Sequence, residues 1–165
     1  MITIEPVTTE QEINDTVALA QSIWQQHYLA IIGQDQIDYM LDKFQSNTAI
    51  AQQIDAGYLY YLAQLEQDHV GYLALVPNPE QNRLMISKIY VDSATRGAGV
   101  GKALFDYTKA TAQKLNLDTI WLTVNIDNTD SINWYLKQGF VKVDEVKADI
   151  GNGYFMDDYI LELKI

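Results

Sequence analysis

Residues 89–104 read Ile-Tyr-Val-Asp-Ser-Ala-Thr-Arg-Gly-Ala-Gly-Val-Gly-Lys-Ala-Leu, and this stretch constrains the fold more than any other. An apolar strand ending at Val91 meets a turn carrying Gly97, Gly99 and Gly101, and a helix begins beyond it. Glycines at these positions remove the Cβ atoms that would keep a ligand off the backbone. The peptide N–H groups of the loop and of the first helical turn then converge on one point. The helix dipole adds to them, which makes an anion site. Arg96 and Lys102 set positive charge beside it. Spacing excludes the two common phosphate loops. A Walker loop needs G-x-x-x-x-G-K-[S/T], whereas Gly97 and Gly101 stand one residue too close and Ala103 follows Lys102. A dinucleotide loop needs G-x-G-x-x-G, whereas Lys102 takes the place of the third glycine and no strand–helix–strand unit opens the chain.

The loop Arg96-x-x-Gly99-x-Gly101 resembles instead the Q/R-x-x-G-x-G/A pyrophosphate loop of the GNAT superfamily of N-acetyltransferases. A second segment, Asn128-x-x-Ser131-Ile132-x-x-Tyr135-x-x-x-Gly139-Phe140, resembles the family's N-x-x-A-x-x-x-Y-x-x-x-G-F signature, with Ser131 at the alanine. These residues also suit a helix on their own chemistry. Asn128 and Thr129 are N-cap residues, Asp130 favours a first turn, and Gly139 fits a left-handed helix stop. Ser131 and Tyr135 then share one helix face. The resemblance covers residues 70–164, while residues 1–69 match the family in element order alone.

The fold class implied is α/β (α+β): a GNAT fold with a mixed, mostly antiparallel central sheet and helices on both faces. One N-acetyltransferase domain over residues 1–165 is expected. Periodicity supplies the elements. Residues 2–7 read as a strand, and Thr9 with Glu12 forms a capping box. Ile13, Val17, Ala20, Trp24 and Tyr28 make a helical stripe that Gly33 breaks. Ile37, Met40, Leu41 and Phe44 make a second stripe, and a short helical piece follows Asn47. Strands are expected at 57–65, 68–77, 83–91, 118–124, 140–148 and 154–164, with helices at 99–115 and 128–138.

The resemblance implies roles as well. Ile89, Tyr90 and Val91 would pair through their backbone with the pantetheine arm of acetyl-CoA, and one N–H would stabilise the developing oxyanion. Arg96, Gly97, Ala98, Gly99, Val100, Gly101 and Lys102 would hold the pyrophosphate, with Lys137 or Lys142 near the nucleotide end. Asn128 and Ser131 would border the pantetheine arm, and Tyr135 would serve the leaving thiolate. A thiol pKa near ~8.5 and a tyrosine pKa near ~10 make full proton transfer uphill by roughly 2 kcal/mol, so a hydrogen bond is as plausible. Many relatives carry a glutamate on the strand before the loop, whereas residues 83–91 contain no acid. Ser87 and Tyr90 could order a water there, with Asn125 assisting from the neighbouring strand. His27 lies where family members build the acceptor site, although a lone histidine on an amphipathic helix is more often structural.

Composition narrows the chemistry. The chain has no cysteine, which excludes disulfides, a thiol nucleophile and a Cys-based metal site. No spaced His/carboxylate cluster suggests a metal, so acetyl-CoA as co-substrate, without a metal, is expected. A formal charge of −11 opposes nucleic acid and anionic membrane partners. It suits a cationic acceptor, with a polyamine or other small-molecule amine first. The whole chain distantly resembles bacterial GNAT proteins of the polyamine-acetylating type, including the aromatic-Met-Asp-Asp stretch Phe155–Asp158. A protein N-terminus or lysine is the alternative within the class, and a non-catalytic acetyl-CoA-binding sensor the alternative outside it. Tyr28–Gly33 and Asp149–Tyr154 are expected to border the acceptor pocket, with Asp149, Asp157 and Asp158 attracting the cation. The segment Met1–Glu5 lacks a basic signal-peptide region and no apolar run reaches about 18 residues, so a cytoplasmic location is expected. A homodimer is allowed.

Overall fold

Local signals set most element boundaries in the computed structural model, which describes residues 1–165. The Thr9 side chain caps α1 (Glu10–Ile32), and the Glu12 carboxylate returns to the Thr9 backbone, closing the capping box. Gly33, at φ 81°, ends α1 and starts α2 (Gln34–Phe44), and the Ser46 side chain caps α3 (Asn47–Asp55). The remaining elements are β1 (Ile2–Pro6), β2 (Leu59–Leu65), β3 (Asp68–Asn78), β4 (Arg83–Val91), α4 (Val100–Lys114), β5 (Thr119–Asn125), α5 (Thr129–Lys137), β6 (Val141–Gly151) and β7 (Tyr154–Lys164).

The strands form one seven-stranded sheet in the order β1-β2-β3-β4-β5-β7-β6. Every neighbouring pair is antiparallel except β4 with β5. Each face carries a core. On one side Leu104 and Phe105 of α4 and Tyr135 of α5 pack on Leu73, Leu84, Ile120 and Leu161. On the other, Ile23 and Trp24 of α1, Ile37 of α2 and Ile50 of α3 pack on Tyr60, Leu62 and Tyr72. The Trp24 indole donates to the Tyr72 hydroxyl at 3.1 Å, and that hydroxyl donates to Gln45 at 3.1 Å, so the buried polar atoms are matched.

Two departures from simple alternation shape the site. Ala74 pairs with Lys88 and Leu75 with Ile86, so Ser87 is an extra residue, a β-bulge in β4. The bulge inverts the side-chain phase. Leu84 and Ile86 face the α4 side before it, Ile89 and Val91 face that side after it, and Tyr90 turns toward α1. Lys88, a polar residue in an apolar strand, is thereby carried into the α1–α3 side. The second departure is the end of β4–β5 pairing: Arg83, Leu84 and Met85 pair with Thr119, Ile120 and Trp121, and nothing beyond Met85 does. From Ile86 onward the two strands diverge.

The closing hairpin runs longer than its hydrophobic pattern suggests. Asp149 pairs with Phe155 and Gly151 with Tyr154, which carries β6 past residue 148 to Gly151. Asn152 at φ 53° and Gly153 at φ 77° form the two-residue turn, and positive φ at both positions is the type I′ geometry that matches strand twist. Residues Asp149–Tyr154 are thus a hairpin tip rather than an open loop.

Candidate active site

The diverging strands hold open a cavity of about 950 Å³. Ile86–Val91 of β4 and Leu122–Asn125 of β5 form its two long walls. From Ile86 onward the β5-facing edge of β4 has no strand partner, so its backbone is available to an extended ligand that adds like a strand. The positions expected from sequence, Ile89, Tyr90 and Val91, all line this edge.

The glycine loop sits at the end of that edge. Gly97 at φ 89° and Gly99 at φ 83° are left-handed, a conformation that favours glycine. Asp92 braces the approach, accepting from the Ala94 N–H at 2.9 Å and from Gln26 at 3.2 Å. No side chain caps α4, so its first-turn N–H groups are available to an anion. Gly101 lines the cavity, and a Cβ placed there would lie 3.9 Å from Val91 and 4.0 Å from Trp134. Arg96 also lines the cavity, whereas Gly97, Ala98, Gly99, Val100 and Lys102 lie outside its lining. Val100 is buried in the core, leaving its backbone as the group it can offer. The Lys102 ammonium is turned along α4 to Asp106, at 2.8 Å. Pyrophosphate and an extended thioester arm are what an uncapped helix start beside an open strand edge can accept.

The α5 segment closes the opposite wall. Asn128, Ser131, Trp134 and Tyr135 all line the cavity. Asn128 stands at the start of α5, and its side chain meets the Tyr28 hydroxyl. Tyr135 is 8% exposed, and burial pushes its hydroxyl pKa well above the ordinary tyrosine value, with the Tyr28 hydroxyl adding to the effect. Proton loss from Tyr135 is therefore harder than in water, and its natural role is hydrogen-bond donor.

Tertiary packing assembles groups that spacing in the sequence does not. Tyr28 and Tyr90 meet edge to face at 6.2 Å between ring centres, and Trp24 lies 4.6 Å from Tyr28. Tyr90, expected to help order a water, is held in this aromatic cluster. Asn125 is buried, and its side-chain oxygen accepts from the Asp127 N–H at 2.8 Å. The His27 Nε2 lies 3.1 Å from the Val91 carbonyl, so the ring nitrogen facing that oxygen is the protonated one. His27 braces the end of β4.

Asp158 of β7 brings a carboxylate to the cavity, whereas β4 itself carries none. It lines the cavity, and its Oδ1 is buried without a hydrogen-bond partner. Burial raises its pKa to about 6, against a hydrogen bond from Thr123, and the Asp157 charge raises it further. Asp157 itself is exposed, and Asp149 bonds to the Gly151 N–H at 2.8 Å in the hairpin tip. Of the three aspartates expected to attract a cation, Asp158 alone lines the cavity. Lys88 is the second such group. It is 6% exposed, and its Nζ donates to the Phe44 carbonyl at 2.8 Å, to Gln53 at 2.9 Å and to the Tyr60 hydroxyl. Burial lowers its pKa to about 7 while those oxygens favour keeping the proton. The one signal in the sequence for Lys88 is a charged residue in the interior of a mostly apolar strand.

The comparisons with known proteins agree with this geometry. The Acetyltransferase (GNAT) family profile matches residues 17–140. A probable N-acetyltransferase, san, of Drosophila melanogaster is 36% identical over 94 residues, 55% of this chain and 51% of the relative. An uncharacterized N-acetyltransferase in the pepI 3'region of Lactobacillus delbrueckii subsp. lactis is 26% identical over 95 residues, 54% of this chain and 55% of the relative. The chain thus spans about half the length of the curated relatives it matches. The PaiA N-acetyltransferase of Thermoplasma acidophilum, solved in complex with coenzyme A, superposes with a TM-score of 0.84 at 19% identity, covering 100% of this chain and 99% of that one. With the family profile spanning the loop, the splayed strands and the helix that carries Tyr135, the chain belongs to the GNAT acetyltransferase family.

Proposed function

We propose that this protein is an acetyl-CoA-dependent N-acetyltransferase acting on a primary amine. The observation that carries the reading is the meeting of Asp158 and Tyr135 in one cavity along the free edge of β4. Bound acetyl-CoA supplies the activated acetyl group, whose bond to sulfur breaks as the amine nitrogen forms its bond to the carbonyl carbon. The rest is work for the chain. The α4 start and Arg96 hold the diphosphate, and the β4 backbone fixes the extended arm and offers N–H groups to the carbonyl oxygen as it gains charge. Tyr135 gives a hydrogen bond to the departing thiolate. A free alkylammonium has a pKa near ~10.4, so exposing its lone pair at neutral pH costs roughly 4–5 kcal/mol. Asp158, with its pKa raised to about 6, is ionised at neutral pH yet basic enough to collect the proton that the nitrogen sheds.

A sensor that only bound acetyl-CoA would have no use for a partly buried carboxylate with an unpaired oxygen. Asp158 therefore favours an enzyme. The acidic composition suggested a polyamine, and a polyamine needs further carboxylates along the cavity to match its further charges. Apart from Asp158, the acidic residues of the lining are Asp127 and Asp130, which stand at the α5 start beside Asn128 and the pantetheine arm rather than along β4 toward Lys88, so they do not continue the row a second ammonium would need. The acceptor class supported is a primary amine with one cationic centre, with a protein N-terminus as the nearest alternative. The test is thiol release from acetyl-CoA with a panel of monoamines, polyamines and short peptides. Release with at least one amine, with the acetylated product identified by mass, supports the reading. Tight acetyl-CoA binding with no transfer to any amine would replace it with the sensor.

A further inference from the structure

Following β4 away from the glycine loop, the cavity reaches an end walled by Phe44, Gln53, Tyr58, Ile150 and Met156. None of these side chains is acidic. The charged groups at this end are lysines. Lys88 lines the cavity, and the exposed Lys43 stands at the rim, its Nζ 2.6 Å from the Ile150 carbonyl. This occurs in a chain with 22 acidic residues against 11 basic ones, so the local sign opposes the global one. No ion pair joins Lys88 or Lys43 to any carboxylate; the close pairs are Lys102–Asp106, Lys109–Asp106 and Lys142–Glu145. Asp158 faces the same cavity from β7. In the sheet β5 separates β4 from β7, and strands lie roughly 4.8 Å apart, so the backbones of Lys88 and Asp158 are about 10 Å or more apart.

We infer that the acceptor is a small amine bearing a carboxylate or similar anion several bonds from the reacting nitrogen, with Lys88 as the residue that selects the anionic end and Lys43 assisting from the rim. The inference rests on the acetyltransferase reading above and names its acceptor class. Along β4 the cavity holds a buried lysine, protonated in part at neutral pH and fully below it, and across β5 a partly buried carboxylate, and the two are not paired with each other. A ligand with the opposite charge at each end satisfies both. An α-amino acid is too short, because its charges are separated by a single carbon. The Lys88 protons are committed to the Phe44 carbonyl, Gln53 and Tyr60, so its action on the ligand is Coulombic attraction across a poorly solvated gap. A diamine or polyamine would bring its second ammonium against the two lysines.

The test is a matched series that shares one five-carbon chain: ε-aminocaproate, pentylamine and cadaverine, assayed for thiol release near neutral pH. The expected order of kcat/KM is ε-aminocaproate above pentylamine by at least about tenfold, and pentylamine above cadaverine. Lys88→Met should bring the ratio of the first two toward unity, mainly through KM, and Lys43→Met should narrow it less. A binding readout runs in parallel: calorimetry with N-acetyl-ε-aminocaproate and N-pentylacetamide, where the anionic product should bind the wild type more tightly and lose that advantage in Lys88→Met. If Lys88→Met does not fold, the wild-type series and the Lys43→Met protein still decide. Cadaverine acetylated as well as ε-aminocaproate overturns the inference, as does a folded Lys88→Met protein with its preference intact. Those outcomes leave the acetyltransferase reading standing. Absence of transfer to every amine removes that reading instead, and the product-binding preference then judges the charge selection alone.

Discussion

Replacing Asp158 by asparagine should make this protein more stable and a worse catalyst at once. The carboxyl pKa is raised in the fold from 3.8 to about 6, chiefly by burial. A raised carboxyl pKa means the folded state holds the proton more tightly than the unfolded state. Stability from this group is thus fully present below the unfolded pKa and is lost as pH rises through about 6. Two pKa units correspond to an upper bound of about 3 kcal/mol, and solvent access to the carboxyl cuts this to about 1 kcal/mol. Asparagine copies the protonated acid and removes the loss. For a chain of this size 1 kcal/mol is worth about 2–4 °C in Tm. The gain should be present at pH 8, shrink as pH falls through 6 and vanish near pH 4. Thermal melts of both proteins across that range measure it. In the same variant kcat should fall roughly 10²–10⁴-fold with acetyl-CoA affinity unchanged, and the acid limb of the wild-type rate profile, near pH 6, should disappear. A variant that is less stable at pH 8 and turns over at the wild-type rate would refute the reasoning, because Asp158 would then be a satisfied structural carboxylate.

Gly101→Val should fold, since a Cβ there meets only ordinary contacts at 3.9 and 4.0 Å, yet lose at least about tenfold in acetyl-CoA affinity by calorimetry as the side chain enters the cavity. Unchanged affinity in the folded variant would remove the loop assignment. Tyr135→Phe should lower the turnover number about 10- to 1000-fold with little change in acetyl-CoA affinity, and because the hydroxyl pKa lies above the ordinary value, the deficit should persist across the accessible pH range. Full turnover would make Tyr135 a packing residue. Tyr72→Phe strands the Trp24 N–H and the Gln45 oxygen and should cost about 1–3 kcal/mol in denaturant melts, without changing acetyl-CoA affinity. A loss under about 0.5 kcal/mol would mean that water replaces the hydroxyl.

Much of this protein follows from short-range rules that a sequence carries openly. The Thr9 capping box, the break at Gly33 and the glycine loop before α4 each depend on residues within a few positions of one another, and each stands where its spacing predicts. The Asn152-Gly153 turn was legible in the same way, as a two-residue hairpin signal that would have extended β6 to Gly151. Tyr135 was readable because one helix face and one signature carry it. Asp158 was legible only as one of three aspartates able to attract a cation, and Lys88 was not legible as a site residue. What matters for each is burial, and burial is decided by distant segments. Asp158 lies beside Thr123 of β5 and Tyr28 of α1, while Lys88 is enclosed by α2, α3 and β2. The Ser87 bulge is the hinge of the matter: it is one unpaired residue in the ladder with β3, invisible in the composition of β4, and it decides which face receives Lys88 and Tyr90. Local propensity therefore determined the elements and the anion-binding turn. The burial of Asp158 and Lys88, on which the proposed acid–base partner and acceptor end rest, was decided by the tertiary structure, because pairing register and desolvation are sums over residues far apart in the chain.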